Sequence, residues 1–108
     1  HSPGQLPQHY APRTRLRSTL PGAARRDVSD TSSGRVALLA FSSPRDTQGF
    51  AEIEVLSATG DLREAAANLF AAMRRLDESG VDLILAEQAP PRGLGLAIND
   101  RLRRASHG

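Results

Sequence analysis

The chain has 108 residues, no cysteine and no lysine, with 14 arginines against 12 acidic residues for a formal charge of +2. That length fits one domain that buries about two-thirds of its unfolded surface. The absence of cysteine excludes a disulfide framework and thiolate zinc ligation, so packing and backbone hydrogen bonds must hold the fold. No apolar run approaches the roughly 18 to 20 residues of a membrane-spanning helix. His1 is not followed by a charged leader and apolar core. These features fit a reducing, cytoplasmic setting with no membrane contact, and the start at His1 without methionine suggests that the natural protein extends upstream.

The small net charge hides an asymmetry. Residues 1–35 carry six arginines against Asp27 and Asp30, a net of +4, whereas residues 36–108 carry eight against ten acids, a net of −2. A basic arm of this kind meets phosphate or an acidic neighbour, or simply stays solvated.

Residues 1–12 (HSPGQLPQHYAP) hold three prolines and a glycine, and proline restricts itself and its predecessor to extended conformations. The segment reads as an extended linker, and residues 13–108 as the domain that follows it. Arg13 to Leu20 alternates in places and is expected to be an exposed or edge strand. In a strand, Arg13, Arg15 and Arg17 would share one face. Residues 21–34 (PGAARRDVSDTSSG) are rich in turn formers and predict a helical turn at most, then a loop.

Arg35 to Phe41 (RVALLAF) is a continuous apolar run bounded by Gly34 and Ser42-Ser43-Pro44, which predicts a central strand buried on both faces. Ala51 to Ser57 alternates Glu52 and Glu54 with Ile53 and Val55, the period of a half-buried strand nearer an edge. Asp61-x-x-Glu64 resembles a capping box. Leu62, Ala66, Leu69, Met73 and Leu76 then recur at steps of four and three, predicting a helix with Arg74 and Arg75 at its end and Gly80 as its stop. Val81 to Ala86 predicts a further strand. Leu94, Ile98, Leu102 and Ala105 form a second stripe, so residues 95–106 should close the chain as a helix. The order strand, strand, helix, strand, helix favours an α/β sandwich with a largely parallel sheet.

Chemistry-bearing patterns are sparse. His1, His9 and His107 are too few and too scattered to predict a metal site. The chain has no G-x-S-x-G nucleophile elbow to support hydrolysis. Three Phe, one Tyr and no Trp do not suggest a platform for stacked bases. Gly93-Leu94-Gly95 resembles the start of a dinucleotide fingerprint, but Ile98 stands where the third glycine belongs. Gly93 and Gly95 are therefore either a tight turn or a phosphate site at a helix N-terminus, with Asn99 and Arg101 either solvated or in contact with the nucleotide. Arg13, Arg15, Arg17, Arg25 and Arg26 are the candidates for RNA contact. His9 and Tyr10, side by side in a stiff backbone, serve either a spacer or a binding segment.

The motif S-P-G-x-x-x-x-H-Y-A-P at Ser2 to Pro12 resembles the interdomain linker of the long-form L-threonylcarbamoyladenylate synthases. In that family a YrdC-like catalytic domain precedes a small Rossmann-like domain. The stretches TGDLREAAANLFAAMRRLD (Thr59 to Asp77) and GLGLAINDRLRRA (Gly93 to Ala105) are similar to the last two helices of the C-terminal domain. The resemblance implies a Rossmann-like three-layer sandwich. It also implies an accessory role in an enzyme that joins L-threonine, bicarbonate and ATP into threonylcarbamoyl-AMP for tRNA modification. ATP and magnesium would belong to the catalytic domain, whose motifs have no counterpart here, so catalysis and cofactors are not expected in this chain. The family's linker covers the catalytic cavity as a lid. The positions that match it are Ser2, Pro3, Gly4, His9, Tyr10, Ala11 and Pro12; Gln5, Leu6 and Pro7 depart from the methionine, lysine and tyrosine of many relatives. The partner implied is the catalytic domain of the same chain, with tRNA as a further candidate.

Overall fold

The computed structural model describes residues 12–24 and 34–107. Four strands, β1 (Arg15–Thr19), β2 (Val36–Ala40), β3 (Glu52–Val55) and β4 (Leu83–Glu87), and two helices, α1 (Leu62–Asp77) and α2 (Leu94–His107), make up its regular structure. The strands form one parallel sheet in the order β1-β4-β2-β3. The α/β class and parallel sheet expected from the element order are thus the observed ones. The continuous apolar runs lie at the sheet centre in β2 and β4, and the two polar-patterned strands form its edges, because only an edge tolerates side chains that require water.

In a parallel register, laterally paired residues point to the same side of the sheet. Ala37, Leu39, Ile84, Ala86 and Leu16 face the helices and pack against Leu69, Met73 and Leu76 of α1 and Ile98, Leu102 and Ala105 of α2. Val36, Leu38, Ala40, Leu83 and Leu85 line the opposite face, where the described residues packing on them are Ala24 and Phe50. Residues 36–40 are all buried, as an apolar run without alternation requires.

Local chemistry sets the element ends. Asp61 caps α1 by accepting from the Arg63 and Glu64 N–H groups. Glu64 takes its hydrogen bond from the buried Ser57 hydroxyl at 2.5 Å, and Ser57 Oγ in turn accepts the Asp61 N–H at 2.8 Å. The reciprocal half of the expected capping box is therefore relayed through Ser57 rather than made directly. Gly34, with φ +88, precedes β2 beside Asp82, whose carboxylate accepts the Arg35 N–H at 2.7 Å. A side chain on Gly34 would occupy the position of that carboxylate.

Three expectations shift in detail. β4 starts at Leu83 rather than Val81, because it begins where its register with Val36 of β2 and Arg15 of β1 begins. In β3 the alternation is present, but Ile53 and Val55 are the more exposed side, at 38% and 36%. The glutamates point to the helix side, where Arg75 of α1 holds Glu54 in a two-point pair at 2.8 and 2.9 Å. Arg13 lies ahead of β1, so only Arg15 and Arg17 share a strand face, the one paired with Leu83 and Leu85. Most of the loop expected over 21–34 falls outside the described residues.

Candidate functional site

Because all four strands run the same way, the domain has two structurally distinct ends. The chain enters β1 at the amino end, where α1 also finishes. There Asp77, the last residue of α1, accepts hydrogen bonds from the Arg13 N–H at 3.2 Å, the Thr14 N–H at 2.9 Å and the Thr14 hydroxyl at 2.8 Å. Pro12, just upstream, is buried. A groove of about 800 Å³ opens at this end, lined by Arg13, Arg15 and Arg74 together with Asp77, Glu78 and Asp82. It carries as many carboxylates as guanidiniums and so presents no field of a single sign. Of the other arginines proposed for RNA contact, Arg17 lies exposed on β1, and Arg25 and Arg26 are outside the described residues.

At the carboxyl end of the sheet, a cleft of about 400 Å³ lies over β1, β4 and β2. Its walls include Gly22, Ser42, Ser43, Arg45 and Glu87 over a floor of Ala24 and Leu38. Open parallel sheets usually bind ligands at this edge. Glu87 accepts the Gly22 N–H at 3.2 Å, and the Ser43 hydroxyl donates to the Ala58 carbonyl at 3.3 Å.

The Gly93-Leu94-Gly95 turn lies at the same end. Gly93 has φ +53, a conformation that favours glycine. At Gly95 a Cβ would collide with the Pro90 carbonyl oxygen, so the missing side chain lets α2 start against the Pro90-Pro91 loop. Asn99 is neither a solvated residue nor an open donor. Its Oδ1 accepts the Ala89 N–H at 2.7 Å and its Nδ2 donates to the Ala89 carbonyl at 2.9 Å, clipping the loop after β4 onto α2. Arg101 is half-buried on α2. Its neighbour Asp100 is held by Arg103 at 2.5 Å and Arg104 at 3.0 Å. The hydrogen bond from Arg103 keeps the Asp100 carboxyl below its ordinary pKa, and the charge of Arg104 adds to this. Glu54 acts in the opposite sense on Arg75, whose guanidinium its hydrogen bond raises above the ordinary value.

Among the described residues, no group of three His, Cys, Asp or Glu side chains is placed to hold a metal. No described helix is long and apolar enough to cross a membrane. The linker candidates Ser2, Pro3, Gly4, His9, Tyr10 and Ala11 lie outside the described residues, and only Pro12 of that set is inside. Sequence reasoning passed over Asp77 and Ser57. The available signal for Asp77 was an acid in the last turn of a helix, where the macrodipole disfavours it.

The family model for the threonylcarbamoyl-AMP synthase C-terminal domain matches residues 1–107. The threonylcarbamoyl-AMP synthase of Bacillus subtilis (strain 168) is 32% identical in an alignment covering 99% of this chain and 32% of the relative. That of Pyrococcus abyssi (strain GE5 / Orsay) is 51% identical over 53 residues, 49% of this chain and 16% of the relative. The chain thus spans about a third or less of the length of these curated relatives. A crystal structure of P. abyssi Sua5 complexed with L-threonine superposes with a TM-score of 0.66 at 31% identity, covering 98% of this chain and 32% of that one. The separately solved C-terminal Sua5 domain of a Pyrococcus horikoshii protein gives a TM-score of 0.61 at 25% identity, covering 86% of this chain and 93% of that one. Taken with the parallel four-stranded sheet and its two helices, these likenesses show that the chain belongs to the threonylcarbamoyl-AMP synthase family, as its C-terminal domain.

Proposed function

We propose that this domain is the accessory unit of an L-threonylcarbamoyladenylate synthase and that its linker, residues 1–12, covers the active site of a catalytic domain preceding it. The parent enzyme would join L-threonine, bicarbonate and ATP, with magnesium, into threonylcarbamoyl-AMP for tRNA modification in the cytoplasm. Those ligands would be held by the catalytic domain. The product is a mixed anhydride that water destroys, and a cover over the cavity would exclude water while the product waits for transfer.

The observation that carries this reading is the relation between length and attachment. The chain spans about a third of its B. subtilis relative, and its N-terminal segment joins the domain at a root held by Asp77. Further support comes from a P. abyssi Sua5 variant solved with alanine at an adjacent histidine and tyrosine, which superposes with a TM-score of 0.64 at 30% identity. The only adjacent histidine-tyrosine pair in this chain is His9-Tyr10, and these are the side chains most suited to reach the nucleotide or threonine.

The test is a comparison of the two-domain enzyme with its Tyr10→Ala variant. The expected outcome is a shorter lifetime of the enzyme-bound adenylate. Unchanged turnover together with an unchanged lifetime would overturn the lid reading.

A further inference from the structure

Helix α1 runs from the capped Asp61 end at the carboxyl side of the sheet to Asp77 at the amino side, fixed along its length by Leu69, Met73 and Leu76 in the core. Arg74 and Arg75 in its last turn have the charge that the helix C-terminus favours. Asp77 has the opposite one, so the helix itself gains nothing from an acid there. Its carboxylate engages backbone and side chain 63 and 64 residues away: Oδ2 accepts from the Arg13 N–H, and Oδ1 accepts from both the N–H and the hydroxyl of Thr14.

Two successive N–H groups and a hydroxyl held by the two oxygens of one carboxylate fix the direction of a backbone as well as its position. The hold lies outside the sheet, whose register with β4 starts only at Arg15. It therefore holds the two residues ahead of the sheet, next to the buried Pro12.

We propose that Asp77 is a positioning residue that fixes Arg13 and Thr14, through which the segment carrying His9 and Tyr10 joins the domain. This rests on the lid reading for its effect on catalysis, but the latch itself can be tested independently. P. horikoshii provides a C-terminal Sua5 domain solved by itself, and the 108-residue chain is the material for the first experiment.

Amide hydrogen exchange is compared in the parent chain, Asp77→Ala and Thr14→Val. Loss of the carboxylate should accelerate exchange at Arg13 and Thr14 by about tenfold or more, equivalent to losing about 1.4 kcal/mol of local protection. Sheet amides such as Leu39 and Leu85 should be unaffected, and Thr14→Val, which removes one of the three bonds, should fall between. Unchanged exchange at Arg13 and Thr14 would overturn the latch. Acceleration of all amides together would also overturn it, because Asp77 would then be holding the domain and not the root.

In the two-domain enzyme, Asp77→Ala should shorten the adenylate lifetime, and adding it to a variant that carries both His9→Ala and Tyr10→Ala should bring no further loss. Full catalysis by Asp77→Ala with a damaged Tyr10→Ala would overturn the positioning role alone. If both variants retain full catalysis, the lid reading fails as well.

Discussion

At the scale of single residues, the positions that look chemical in the sequence are partly consumed by the fold. Asn99 is the clearest example, since both halves of its amide are engaged with Ala89. Replacing it with alanine leaves the N–H and carbonyl of the buried Ala89 unpaired, which should cost about 1–3 kcal/mol in urea unfolding. An Asn99→Asp variant keeps the acceptor for the Ala89 N–H but sets a carboxylate against the Ala89 carbonyl, so it should recover only part of that loss. Gly95 makes the same point through space instead of hydrogen bonding: its fingerprint-like spacing reflects the approach of the Pro90 carbonyl. Asp77 is the converse, a residue with no motif that gathers three donors from the far end of the chain.

At the scale of elements, α1 and α2 were legible because each carries one apolar stripe, and the buried Leu69, Met73 and Leu76, then Ile98, Leu102 and Ala105, are residues of those stripes. The polar side of α2 has an organisation of its own. Asp100 lies one turn ahead of Arg103 and Arg104 and pairs with both, an arrangement that supports helices modestly and is screened by salt. Its folded-state pKa is lowered, so the stabilisation is present above the unfolded aspartate value and is lost as pH falls through the lower folded value. A carboxyl-detected NMR titration at low salt should therefore place Asp100 below the usual aspartate midpoint of about 3.9, and about 1 M NaCl should move it back toward that value. An unshifted midpoint at low salt would mean that the pairs do not persist in solution. In β3 the period was legible but its sense was not. Alternation says that two faces differ, whereas the position of Arg75 on α1 decides that the glutamate side is the one a helix covers.

At the scale of the whole molecule, the helix-side core is one connected cluster joining β1, β2, β4 and both helices. Leu39, with no exposed surface, lies in that cluster on β2. Leu39→Ala should cost about 2–5 kcal/mol through lost transfer energy plus the residual cavity. Since the cluster is shared, far-ultraviolet circular dichroism and core-amide exchange should report one common unfolding transition in this variant. Two separate transitions would show that the helices hold independently of the sheet.

The sequence by itself determined which segments are strands and helices, that the apolar run holding β2 is central, and, through the motifs at Ser2 to Pro12 and in the two helices, which family the chain belongs to; that β4 is central too came from the sheet order. Period, continuous burial and caps are local signals that each segment carries alone. Only the tertiary structure decided that Ser57 relays the capping of α1, that Asn99 and Gly95 serve the loop after β4, and that Asp77 holds Arg13 and Thr14 ahead of β1. Each of these is a contact whose partner is set by packing distance, and sequence separation gives no measure of that. The Asp77 hydrogen bonds join residues 63 and 64 positions apart, and they exist because a parallel sheet returns the end of α1 to the end where β1 begins.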